Sequence, residues 1–215
     1  MAKELTEENA FIESVNTWIH GIGFAASIPA GVYLASLARG QQRGMLLACV
    51  VYSISLAGMY FFSALSHWVG DPVQRHRMRS LDQGTIYLLI AGTFTPFILS
   101  QTSGWLRIGL LVFVWISAAA GFYSKVLAKH RINNMTSIYY VLMGWIPASV
   151  MIWSSTPLSF GCMLLGGLFY TGGVLFLQND HKAWYFHPLW HVMVVLASII
   201  HYLGIAWFAV LGLDR

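Results

Sequence analysis

A chain of 215 residues that is 57% hydrophobic and only 9% charged, with a mean hydropathy of +0.64, is too apolar and too poor in charge for an ordinary water-soluble domain. Its net charge of +4 and pI near 9.2 come from Lys and Arg scattered between apolar runs, so they read as loop anchors and exclude a basic nucleic-acid face. The expected class is an all-α integral membrane protein whose first partners are membrane lipids.

The acidic, polar start MAKELTEENA has neither the basic flank nor the short apolar core of a cleaved signal, so a polar tail and a retained first span are expected. Apolar runs then follow at 17–39, 45–69, 84–101, 106–126, 135–153, 158–177 and 187–211. Each is near the ~20 helical residues that cross a hydrocarbon core of about 30 Å. The expected architecture is one domain, a seven-helix transmembrane bundle. Pro96 interrupts the third run, which neighbouring helices can tolerate by satisfying the freed carbonyl. The longest polar stretch, GDPVQRHRMRSLDQG at 70–84, reads as the loop between the second and third spans. No internal repeat or linker divides the chain, and Cys49 and Cys162 fall within apolar runs as packing residues.

Seven spans put the ends of the chain on opposite sides of the membrane. Lys3, Arg75, Arg77, Arg79, Lys125, Lys129, Arg131 and Lys182 fall on the side of the N-terminus, against Arg39, Arg43, Arg107 and Arg215 on the other. Short basic loops stay in the cytoplasm, so the N-terminus is expected inside and the C-terminus outside.

The same span map gives depth to the eight histidines. His76, His130 and His181 fall in loops, where solvation explains them. His20 near the start of span one, His67 at the end of span two, and His187 and His191 at the start of span seven all reach the cytoplasmic boundary. Ionisable groups within membrane spans are costly and mark functional interiors. Asp82, just before span three, belongs to the same layer, either as a helix cap or as part of a site.

His187 and His191 are four apart, so on a helix they share one face, and Pro188 suits the first turn. His67 is the third imidazole at matching depth, with Ser63 one turn before it. Three neutral imidazoles leave one position of a tetrahedral Zn2+ open, as catalytic zinc sites do, and water there is strongly acidified. Asp82 is then placed to act as base or to orient that water. Neutral core histidines held by carbonyls or hydroxyls are the alternative for each of these residues. Glu13, Asn16 and His20 recur on one stripe of span one, either fixing its start or supporting the site from behind. His201 lies ten residues beyond His191, about 15 Å deeper, too far to share an ion.

Glu13, Asn16 and His20, then Ser63 and His67 followed by Asp82, GTFTPF at 92–97, and HPLWH at 187–191 with His201 beyond resemble the motifs of the hemolysin III family. That family is the bacterial branch of the progestin and adiponectin receptor superfamily, and the resemblance runs over essentially the whole chain. It implies seven helices with the N-terminus inside, zinc held by His67, His187 and His191, Asp82 at a zinc-bound water and Ser63 nearby. His20 is implied as a support and not a ligand. A bacterial inner-membrane protein is implied, and nothing is lent to a hormone-receptor role.

The resemblance extends to alkaline ceramidases in ligand pattern, which implies a zinc-dependent hydrolase acting on the amide of an acyl lipid. Phe61, Phe62, Phe94 and Trp190 are candidates for the walls of an acyl cavity, or simply for helix packing. Two non-enzymatic readings stand beside it: a cytolytic pore or channel, and a sensor of membrane lipid state in which zinc is structural. No span carries the sustained polar stripe that an ion path requires.

Overall fold

The computed structural model describes residues 2–128 and 136–214, with side chains described from 10 to 128 and from 138 to 214. His130, Lys129, Arg131 and Arg215 lie outside the described residues, as does the side chain of Lys3. Among the described residues there are seven α-helices and no strand: α1 Ala2–Ala38, α2 Met45–Trp68, α3 Pro72–Gln101, α4 Gly104–Phe122, α5 Thr136–Met151, α6 Pro157–Gln178 and α7 Phe186–Gly204. Wider π-helical turns prolong α4 over Tyr123–Leu127 and α7 over Ile205–Val210.

Six of these helices are long and apolar enough to cross a membrane. Among the described residues the fifth falls short, since 16 residues rise about 24 Å against a core of about 30 Å. One expectation about a polar segment is corrected, and the polar tail takes a form the sequence left open. The N-terminal tail is helical from Ala2, because its alternation of Ala, Leu and Glu favours helix over coil. The stretch 70–84 is helix from Pro72 onward. Asp71 caps it by accepting the Gln74 backbone N–H at 2.8 Å, with Pro72 in the first turn. Capping at this end therefore belongs to Asp71, and Asp82 stands three turns inside α3. Lys125, at the end of the fourth apolar run, sits on the π-helical turn after α4 and is buried.

Consecutive helices are neighbours, and α7 packs back on α1, which closes a ring. The third helix lies inside that ring, touching α2, α4, α5 and the end of α7. That position explains why polar α3 keeps a buried middle, and the helix runs unbroken through Pro96. Leu34, Cys49, Tyr52, Met59, Phe97, Ile98 and Ile205 form the centre of the core. Large apolar residues such as Val32, Ile54, Ile116 and Leu168 face outward, as they do when the solvent is hydrocarbon. Both cysteines are free thiols.

Candidate metal centre

Two helix ends deliver the three histidines. His67 is the penultimate residue of α2, and His187 and His191 occupy the first two turns of α7. Their ring centroids form a nearly equilateral triangle: 5.2 Å for His67 to His187, 5.0 Å for His67 to His191 and 4.8 Å for His187 to His191. One nitrogen from each ring lies within 4.8 Å of the others, a group that can hold a metal ion.

The outer nitrogens fix which atoms face inward. His67 Nδ1 is 2.7 Å from Glu13 Oε2, and a carboxylate accepts, so Nδ1 carries the hydrogen and Nε2 keeps its lone pair. His187 Nδ1 lies 3.2 Å from Asp180 Oδ2, which frees its Nε2 in the same way. His67 Nε2 and His191 Nε2 are 3.1 Å apart. Nitrogens on a tetrahedral zinc at about 2.1 Å stand roughly 3.4 Å apart, so this pair already has the separation of two ligands on one ion. His187, half-buried at the mouth, offers the third ligand atom within 4.8 Å of the other two. Three imidazole donors, two of them with a carboxylate behind the outer nitrogen, therefore fit a divalent metal such as zinc.

Glu13 is itself held. Its Oε1 lies 3.5 Å from Arg75 and 3.7 Å from Arg79, and Arg75 Nε donates to the Val69 carbonyl at 2.8 Å. The helix that replaces the expected loop thus supplies two guanidiniums, four residues apart, to the carboxylate that orients His67. Asp180 comes from a single 3-10 turn, Asp180–Lys182, ahead of α7. Sequence reading missed Asp180, Arg75 and Arg79 as members of this constellation. The Asp-Pro helix start before Arg75 was the available signal, while no periodicity marks Asp180.

The site opens into a cavity of about 790 Å³ whose lining includes Asn16, His20, Ser63, Asp82, His67, His187 and His191. Asp82 lies beside Ser63, Ser66 and His67. His20 packs edge-on against His191, centroids 4.1 Å apart, and against Tyr60 at 5.1 Å. Asn16 Oδ1, both His20 nitrogens, Ser63 Oγ and His191 Nδ1 are buried without regular hydrogen bonds. Buried polar groups are nearly always paired, so these atoms set the polar layer around the three histidines apart from the apolar core.

Two of the four candidate wall residues line cavities: Trp190 the histidine cavity, and Phe94 a smaller apolar one beneath it. Phe61 is instead 40% exposed on the outer surface, stacked with Phe24 and Phe62. His201 is buried away from the triangle, with Nε2 3.3 Å from the Met163 carbonyl.

Comparison with known proteins agrees with the membrane architecture. The family model "Haemolysin-III related" matches residues 9–202. Hemolysin-3 of Bacillus cereus is 31% identical over 214 residues, covering 97% of each chain. The Hemolysin-3 homolog of Bacillus subtilis is 30% identical over 202 residues, 92% of this chain and 94% of that one. The human Monocyte to macrophage differentiation factor is 26% identical over 160 residues, 72% of this chain and 67% of its own. With six apolar helices and a match over nearly its whole length, this multi-pass membrane protein belongs to the haemolysin III family.

Proposed function

We propose that the chain is a zinc protein of the cell membrane whose seven spans enclose a hydrolase site for lipid amides, a ceramidase-like reaction. The observation that carries this reading is the convergence of three imidazoles on a cavity that also holds an acidic side chain and several unpaired polar atoms. His67, His187 and His191 would hold the metal through Nε2. When bound, zinc supplies Lewis acidity, which polarises a carbonyl oxygen and acidifies water.

The protein's own groups account for the rest of the chemistry. Glu13 and Asp180 keep the outer ring nitrogens protonated and the rings aimed inward. The Asp82 carboxylate, on the same cavity wall, takes the proton of an attacking water and returns it to the departing amine nitrogen. Ser63, one turn from His67 and beside the Asp82 carboxylate, donates to that water or to the amide oxygen. Below this layer the walls turn apolar, with Ile86, Leu89 and Trp190 common to both cavities, which suits an acyl chain. The same change of polarity speaks against an ion path and so against the channel reading.

Metal analysis of the purified protein by plasma mass spectrometry tests the centre. About one zinc per chain is expected, lost in each of His67→Ala, His187→Ala and His191→Ala. Asp82→Ala should keep its zinc and lose lipid-amide turnover. A well-folded parent without metal after zinc supplementation would rule out the mechanism. A zinc-loaded parent with no turnover on any acyl amide would leave the metal structural and favour the lipid-sensor reading.

A further inference from the structure

A second large cavity lies on the outer side of the bundle, beside the histidine layer. It measures about 930 Å³ and is a groove between α1, over residues 10–21, and the corner where α2 passes into α3. That volume is within the roughly 300–1,000 Å³ of sites that hold small molecules. Glu13 and His67 line this groove and the inner cavity alike, so the two spaces adjoin at that pair.

The lining changes in chemistry along α1. At the α2–α3 corner stands Arg75, whose side chain is 30% exposed. Its Nε donates to the Val69 carbonyl at 2.8 Å and its Nη1 lies 3.5 Å from Glu13 Oε1; among the described residues Nη2 makes no hydrogen bond. Glu13 is the one carboxylate among the described lining residues, and Arg79 reaches it as well, at 3.7 Å. Two guanidiniums thus share a single carboxylate, and the cluster keeps a surplus positive charge. Gly21, also in the lining, lies eight residues further along α1, about 12 Å into the bundle. Trp18 and Trp68 line the groove too and are 67% and 72% exposed. Tryptophans gather at the level of lipid headgroups, where an amphipathic ring meets hydrocarbon on one side and polar groups on the other.

We propose that this groove binds an anionic phospholipid, with its phosphodiester on Arg75 and the upper part of an acyl chain against Trp18, Trp68 and Gly21. A guanidinium with donor capacity left over favours a phosphate oxygen, and an apolar wall at headgroup depth favours the hydrocarbon joined to it. A zwitterionic lipid carries the same phosphate but adds an ammonium, which the surplus cation repels. Free phosphate meets Arg75 and gains nothing from the walls. The inference rests on the groove and on Arg75, and holds whether or not the histidines carry a metal.

The test is native mass spectrometry of the full-length protein, released from detergent and titrated with phosphatidylglycerol or phosphatidylcholine of identical acyl chains. One phosphatidylglycerol per chain should bind about fivefold more tightly than phosphatidylcholine, the worth of one Arg near an anionic headgroup. Excess inorganic phosphate should not displace it. Arg75→Gln should remove the preference. Arg77→Gln, at an exposed position of the same helix outside the lining of the groove, should keep it. Gly21→Leu leaves every charge in place, and a Cβ there meets no atom within 4 Å, so the fold should survive while the tight binding is lost. Equal affinity for the two lipids would overturn the proposal. So would undiminished binding in Gly21→Leu, displacement by inorganic phosphate, or a preference that Arg77→Gln removes and Arg75→Gln does not.

Discussion

Glu13 shows how a residue outside the triangle can govern it. The carboxylate touches His67 Nδ1 at 2.7 Å and is gripped from the other side by Arg75 and Arg79. Glu13→Gln keeps the shape and removes the charge that fixes the ring. Metal affinity, measured by competition with a chelator, should fall about 10- to 100-fold, as it does when carboxylates behind metal-bound histidines are removed, while a full complement of zinc still loads at saturating metal. An unchanged affinity would reduce Glu13 to a helix-packing residue. The i, i+3, i+7 stripe of Glu13, Asn16 and His20 was readable in the sequence. Which of the three meets a histidine side-chain nitrogen with a carboxylate was not: Glu13 hydrogen-bonds His67, whereas His20 packs edge-on against His191.

At the scale of elements, the inner position of α3 is held by close contacts with small residues. Gly121 on α4 lies against the ring of Tyr87, so near that a Cβ would overlap it. Tyr87 is buried and packs on Tyr140 with centroids 4.5 Å apart, so it has nowhere to go. Gly121→Ala should therefore destabilise the protein by about 1–3 kcal/mol, seen as a lower melting temperature in detergent. Gly109→Ala, on the same helix with no atom within 4 Å of the added carbon, should be neutral or stabilising by up to about 1 kcal/mol. Equal effects at the two sites would show that α4 is not packed closely on α3. The start of α3 carries its own lesson. The polar composition of 70–84 suggested a loop, yet Asp71, Pro72 and Gln74 spell a helix start, and the buried side of that helix faces a polar cavity rather than an apolar core. A hydropathy window reads that arrangement as solvent.

For the whole molecule, the short fifth helix decides topology. If α5 crosses with the other six, the two ends of the chain lie on opposite sides, and the excess of basic residues puts the N-terminus in the cytoplasm. Alkaline phosphatase fused after Arg215 should then be active, and green fluorescent protein at the same place dark. The reverse pattern would mean that α5 does not span and that the C-terminus returns to the cytoplasm. The ring closed by α7 on α1 is what joins the first turns of α7 to the end of α2, so a site drawn from chain positions 124 residues apart, His67 and His191, depends on the complete bundle.

The sequence by itself determined the class of protein and the layer of the site. Apolar runs of spanning length leave a chain no other way to satisfy its backbone in lipid than helices, and alternating direction places His20, His67, His187 and His191 at one end. Tertiary structure alone decided the contacts. Only the closed ring shows that Glu13, Arg75 and Arg79 stand behind His67, that Asp180 stands behind His187, and that His201 is buried against the Met163 carbonyl, away from the triangle. Those pairings join residues on different helices, and the periodicity of one helix records which face is buried without recording what it is buried against.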